Sequence, residues 1–256
     1  MYNAFTIFLG LFKRSIISVN EKGDYMIYLT GDTHGDFGRI KEFCKRTHTS
    51  KQEDIMVILG DAGLNFYLDE TDYNRKIEVS KIPVTFFMIH GNHEERPYKV
   101  TGYEEKEWHG GIVYVHPEFP NQLFAKDGEI YDFNGKKVIV IGGAYSVDKE
   151  YRMVHHWPWF ESEQPTPEIK EYVESRLAQA EWKVDAVFSH TCPINYEPRH
   201  LFLPFIDQSK VDKSTEEWLQ TIEEKLDYQK WYFGHFHDDW KIYKFQMLYK
   251  SIIEFN

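Results

Sequence analysis

The chain has 256 residues, 42% of them hydrophobic and 17% aromatic, with 28% charged and a formal net charge of −11. That length fits one α/β domain with a large core, and the composition excludes a disordered chain. The acidic balance argues against a nucleic-acid-binding surface, which needs a basic face, but not against a phosphate substrate, since bound divalent cations reverse the local sign.

Residues 4–12 are apolar but too few to span a bilayer. Lys13 and Arg14 follow that stretch instead of preceding it, and no small-residue cleavage site comes after, so it makes a poor signal peptide. Nothing later has the pattern of a membrane span, and no membrane association is expected. Cys44 and Cys192 are the only cysteines and have no CxxC partner, which predicts free thiols and a reducing, cytoplasmic setting.

Residues 25–30, 54–59, 84–89 and 184–188 are short runs rich in β-branched and aromatic residues, predicting strands buried on both faces. Between the first two, Phe37, Ile40, Phe43 and Cys44 recur at helical spacing, with Asp36 placed to cap. Residues 69–80 read as a polar helical crossover. Strand alternating with helix is the grammar of a βαβ-built sheet.

The middle of the chain changes character. Residues 112–116, 122–126, 129–133 and 136–141 are strand-like, with Asp127-Gly128 and Asn134-Gly135 between them as hairpin signals. An antiparallel section and a second sheet packed on the first are expected. Residues 147–165 fit neither pattern; Arg152, His155, His156, Trp157, Trp159 and Phe160 suit a packed surface loop or a substrate lid. Thr166-Pro167 then opens a helix with Ile169, Tyr172, Val173, Leu177 and Ala180 on one face. Ser214 and Glu217 make a capping box for another, carrying Trp218, Leu219, Ile222 and Leu226. Residues 230–233 and 240–249 read as closing strands. The sum is an α/β fold: one domain over residues 26–256, a β-sandwich of two mixed sheets flanked by helices.

Five short motifs carry the chemistry: Gly31-Asp32-Thr33-His34, Gly60-Asp61, Gly91-Asn92-His93-Glu94, Ser189-His190 and Gly234-His235-Phe236-His237. Aspartate, histidine and asparagine bind divalent first-row metals through oxygen and imidazole nitrogen, and there are enough here for two ions. Ligands of α/β sheets gather at strand carboxyl ends, and Asp32, Asp61, Asn92 and His190 each directly follow an apolar run. In an extended segment, His235 and His237 would face one way and Phe236 the other. His48, His109, His116 and His200 lie outside the motifs and read as structural.

This ordered set resembles the calcineurin-like metallophosphoesterases, over roughly residues 26 to 240. The resemblance implies a four-layer fold and hydrolysis of phosphate mono- or diesters by in-line attack of a hydroxide held between two metals. It implies that Asp32, His34 and His237 bind one ion, that Asn92, His190 and His235 bind the other, and that Asp61 bridges them. Asn92 and His93 would contact the phosphate, and His93, a non-ligand, would protonate the leaving oxygen. Ligation by nitrogen and oxygen without thiolate suits manganese, iron or zinc. The expected partner is a small phosphate ester; the oligomeric state is not legible.

Gly91-Asn92-His93-Glu94 is also similar to the serine/threonine phosphoprotein phosphatases. That branch continues its second motif with an aspartate that orients the histidine and an arginine that clamps phosphate, and Gly60-Asp61-Ala62-Gly63-Leu64-Asn65 has neither. A clamp must come from elsewhere, with Arg152 the candidate and Arg96 more simply a surface charge. A non-catalytic metal-binding scaffold is a further alternative, disfavoured by the complete ligand set.

The resemblance starts at Met26 with almost no slack. Glu21-Lys22-Gly23-Asp24-Tyr25 back-translates permissively to a stretch containing AAGGAG, the form of a bacterial ribosome-binding site. Residues 1–25 are therefore expected to be an extension that is not translated in the native protein and packs little on the domain. The alternative is an amphipathic anchor built on Phe5, Ile7, Phe8, Leu9, Leu11 and Phe12.

Overall fold

Alternation along the central strands decides the architecture. The computed structural model describes residues 25–51 and 53–256. Its first strands are β1 (Met26–Thr30), β2 (Asp54–Ile58), β3 (Thr85–Met88), β4 (Glu104–Trp108), β5 (Gly111–Val115) and β6 (Gln122–Ala125). Then come β7 (Ile130–Phe133), β8 (Lys136–Ile141), β9 (Ala186–Ser189), β10 (Lys230–Phe233), β11 (Trp240–Ile242), β12 (Phe245–Met247) and β13 (Ile253–Glu254). The helices are α1 (Gly38–Thr47), α2 (Glu70–Ser80), α3 (Lys149–Val154), α4 (Pro167–Gln179) and α5 (Ser214–Glu223).

One sheet has the order β13-β1-β2-β3-β6-β5-β4, with β1, β2, β3 and β6 parallel. The other runs β11-β12-β10-β9-β8-β7, with β12, β10, β9 and β8 parallel. Odd and even residues of these strands enter different cores. Leu29, Val57 and Phe87 from the first sheet meet Val138, Val140 and Phe188 from the second. Their neighbours Met56, Ile58, Phe86 and Met88 face outward against Ile40, Cys44 and Val79 of α1 and α2. On the far side, Ile139, Val187 and Trp231 face Val173 and Leu177 of α4 and Leu219 and Ile222 of α5. Helices, sheet, sheet and helices make four layers around two mixed sheets. Among the described residues no helix is long and apolar enough to cross a membrane.

Local chemistry accounts for most boundaries. Asp69 caps α2 by accepting from Thr71 N, and Thr166 caps α4 with Pro167 in its first turn. Asp36 Oδ1 accepts from Gly38 N at 2.9 Å where α1 begins. At α5 the cap differs from expectation: Asp212 Oδ1 accepts from Ser214 N at 2.9 Å, so Ser214 lies inside the helix and forms no capping box. Asn134 and Gly135, at φ 53° and 85°, join β7 to β8 in the expected hairpin.

Asp127-Gly128 does not make a hairpin. It carries the chain from β6 in one sheet to β7 in the other. Asp127 is buried and spent internally, accepting from Gly142 N at 2.6 Å and from the Arg96 guanidinium. Arg96 is therefore not a surface charge, since it lies 2% exposed in that ion pair. The sequence reading missed β4, Glu-Glu-Lys-Glu-Trp, because it is an edge strand with four exposed residues and no apolar alternation.

Residues 1–24 of the expected extension lie outside the described residues. Tyr25 belongs to the domain: its hydroxyl lies 2.9 Å from His109 Nδ1, and its carbonyl accepts from Asn134 Nδ2 at 2.9 Å.

Phe87, fully buried in the first sheet, has its ring centroid 4.8 Å from Tyr131 and 5.5 Å from Phe133 of the second. Phe87→Ala opens a cavity where the sheets meet and should lower unfolding free energy by about 3–5 kcal/mol, read by denaturant titration.

Candidate metal centre

Six strands deliver the site. Asp32, Asp61 and Asn92 follow β1, β2 and β3 in one sheet, and His190 and His235 follow β9 and β10 in the other. Ser146, beyond the end of β8, accepts from Asn92 Nδ2 at 2.8 Å. All seven residues expected to bind metal converge at this seam.

Each carboxylate fixes one oxygen to the frame and offers the other. Asp32 Oδ1 accepts from His235 N at 2.9 Å, while Oδ2 lies 3.2 Å from His237 Nε2 and 3.7 Å from His34 Nε2. Asp61 Oδ1 accepts from His93 N at 2.7 Å, while Oδ2 lies 3.8 Å from His190 Nε2 and 3.9 Å from His34 Nδ1. Burial works against ionising Asp32, but the hydrogen bond from His237 and the surrounding imidazoles hold its carboxyl well below the usual range. Asp61 is likewise lowered, burial being outweighed by His190, His93 and His34.

The atoms that meet in the middle are electron-pair donors. His34 Nε2 and His237 Nε2 lie 2.9 Å apart, and Asn92 Oδ1 lies 2.7 Å from His190 Nε2 and 3.1 Å from His235 Nδ1. His190 Nδ1 donates to the Leu59 carbonyl at 2.8 Å, which holds the ring with Nε2 turned toward Asn92 Oδ1. The amide of Asn92 is committed to Ser146, which turns its oxygen inward. Burial and the neighbouring His190 push the His235 imidazole down to about 3, so it too is neutral. Ligation needs those ring nitrogens unprotonated, so an ion would replace the hydrogen bonds that His237 Nε2 makes with Asp32 and His34. The donor set fits divalent metal ions, held through second-layer contacts of the kind that orient imidazole ligands. Asp32–His34–His237, His34–Asp61–His93 and Asp32–Asp61–His190 each bring their ligand atoms within 4.8 Å of one another. His93 is thus near enough to ligate, alongside its expected role as an acid.

Close approach explains the glycines before two ligands. A Cβ on Gly60 would lie 1.9 Å from His190 Nδ1, and one on Gly91 would lie 1.9 Å from Asp61 Oδ1. His235 and His237, at φ 68° and 55°, sit in a left-handed bend and not in an extended segment. Phe236 is consequently not turned away: it lines the cavity beside both imidazoles.

Arg152, the expected phosphate clamp, is buried behind the cavity instead of lining it. It is 1% exposed and donates from Nε to Asp148 Oδ2 at 2.9 Å and from Nη1 to the Pro158 carbonyl at 3.1 Å. It backs a residue the sequence reading missed. Asp148 Oδ1 approaches His93 Nε2 to 3.6 Å. Burial opposes its ionisation, but contacts with His93 and Arg152 hold the Asp148 carboxyl well below the usual range. Within residues 147–165, Val147 and Asp148 line the cavity, while His155, His156 and Trp157 lie exposed. Two further supports were also missed. Arg39 Nη2 donates to the carbonyls of Gly31 and Asp32, both at 2.9 Å. Glu94, fully buried, accepts from Gly91 N at 2.9 Å, and burial followed by the Asp61 charge pushes its carboxyl up to about 8.

The family model described as calcineurin-like phosphoesterase matches residues 25–239. No curated protein matches the chain. Among solved structures, the Thermus thermophilus protein TT1561 is 12% identical, covering 91% of this chain and 98% of its own, with a TM-score of 0.45. The phosphopantetheinyl hydrolase of Mycobacterium tuberculosis is 14% identical, covering 89% of this chain and 91% of its own, with a TM-score of 0.42. A protein serine/threonine phosphatase of Saccharomyces cerevisiae is 14% identical, covering 90% and 68%, with a TM-score of 0.31. Scores this low say nothing of this chain's substrate.

Gly91→Ala should displace Asp61 by forcing a Cβ against its carboxylate. The expected outcome is a folded variant, by circular dichroism, that retains fewer metal ions per chain than the wild type in elemental analysis.

Proposed function

The chain belongs to the calcineurin-like phosphoesterases, metal-dependent phosphoester hydrolases, and on that premise we propose that it hydrolyses small phosphate mono- or diesters. The observation that carries this reading is the convergence of imidazole nitrogens, carboxylate oxygens and the Asn92 amide oxygen beside a cavity of about 410 Å³. In this reading Asp32, His34 and His237 hold one ion, Asn92, His190 and His235 hold the other, and Asp61 serves both. Manganese, iron or zinc suits these ligands. Two bound ions acidify water and neutralise the phosphate oxygens during an in-line displacement.

The chain's own groups do the rest. Asn92 and His93 line the cavity, where a phosphoryl group would sit. His93 gives its proton to the departing oxygen as the bond to phosphorus breaks. Asp148, 3.6 Å from His93 Nε2, orients the imidazole, and Arg152 keeps Asp148 aimed. These two residues position His93 and do not touch the phosphate. Cys44 and Cys192 are buried free thiols, which suits the cytoplasm.

The second reading, a serine/threonine protein phosphatase, is favoured by Gly91-Asn92-His93-Glu94 and by Asp148 beside His93. Against it, no arginine is among the residues lining the cavity, and Arg96 and Arg152 are both buried and engaged.

Asp61→Asn removes the negative charge both ions share. Turnover of an aryl phosphate should fall by several orders of magnitude in a folded protein, and wild-type turnover in a metal-loaded variant would refute the shared-ligand assignment. His93→Asn should keep its metal while losing turnover, most for esters with poor leaving groups and least for nitrophenyl esters. Loss of metal from His93→Asn would instead make His93 a ligand.

A further inference from the structure

The cavity beside the metal centre is mixed in its chemistry. Its lining includes the candidate metal-site residues Asp61, Asn92, His93, His235 and His237 and the apolar side chains Leu201, Phe202, Ile206, Val211 and Phe236. Phe236, held between the two histidines of its motif, stacks on Phe202 with centroids 6.2 Å apart and an interplanar angle of 22°. The apolar lining therefore begins at the candidate metal ligands themselves. Tyr145 and Val147 also line it.

The charged groups of the lining leave nothing for a second anion. Among the described residues Lys213 is the one lysine or arginine in it, and its Nζ lies 2.6 Å from Glu197 Oε1 and 4.6 Å from the Phe202 ring centroid. Asp212 accepts from Ser214 N at 2.9 Å and from Gln164 Nε2 at 3.0 Å. Glu216 is 5% exposed and accepts from the Thr191 hydroxyl at 2.8 Å. With Asp148 beside His93, carboxylates outnumber that one paired ammonium. An anionic group beyond the phosphate would be repelled, and a strongly hydrated one would lose water against phenyl and aliphatic side chains without a partner.

We propose that the ester cleaved here carries a neutral, largely apolar organic group, of the size of one or two fused rings, with no second anion near the phosphate. This rests on the hydrolase reading. The size follows from a cavity of about 410 Å³ shared with the phosphoryl group. Specificity then comes from the apolar lining of residues 201–211 and Phe236, because apolar contact area converts directly into preference between substrates.

The test is kcat/KM of the manganese-loaded full chain on phenyl, 2-naphthyl and 6-carboxy-2-naphthyl phosphates, each as monoester and as methyl diester, with glycerol phosphate for comparison. In whichever series is cleaved, 2-naphthyl should exceed phenyl by roughly tenfold, and the carboxylate should cost roughly tenfold or more. Phe202→Ala should lower the ratio of 2-naphthyl to phenyl by roughly tenfold, and Leu201→Ala, read in the same way, covers the case in which Phe202→Ala does not fold. Equal rates across ring sizes, a preference for the carboxylated or glycerol ester, or an unchanged ratio in the folded variant would overturn the substrate class. Cleavage of none of these esters by metal-loaded protein would overturn the hydrolase reading and this inference with it.

Discussion

Packing of the two sheets through their shared core is the constraint on which the site depends. Neither sheet owns a metal site: Asp32, Asp61 and Asn92 come from one, and His190, His235 and His237 from the other. They meet because Leu29, Val57 and Phe87 pack on Val138, Val140 and Phe188 and bring two sets of parallel carboxyl ends to one seam. Burial of those side chains is the large favourable term, at about 25 cal/mol per Å² of apolar surface. Burying carboxylates and imidazoles side by side is unfavourable, and the core supplies the rigidity that keeps them in place.

The seam also holds backbone in the left-handed region. His34, Asp61, His235 and His237 adopt φ of 46°, 49°, 68° and 55°, a region costing side-chain-bearing residues roughly 1–2 kcal/mol each. Their neighbours hold them there. Arg39 gathers the carbonyls of the first motif, and Glu94 takes the amide of Gly91. The tight spacing that demands glycine at positions 60 and 91 is the same spacing that lets one carboxylate face both His34 and His190.

The convergence of the candidate ligands was legible because type and place coincide: each of Asp32, Asp61, Asn92 and His190 follows an apolar run, and such runs read as strands. Asn134-Gly135 was legible as a turn because few dipeptides accept two positive φ values. Asp127-Gly128 has the same kind of composition but joins different sheets, since a turn signal does not say which sheet the next strand enters. Asp148 was not legible. It sits on an irregular loop whose approach to His93 depends on how that loop packs, and Arg152 drew notice instead because its charge is visible while its burial is not. Phe236 was misread for a local reason: two left-handed histidines break the alternation an extended segment would give.

The central claim, that these side chains form one two-ion centre on which hydrolysis depends, is tested most directly by titrating chelator-treated protein with manganese while following bound metal and aryl phosphate turnover together. The account predicts two ions per chain, with turnover appearing as the second binds and none in metal-free protein. Saturation at a single ion with full turnover, or undiminished turnover without metal, would contradict it.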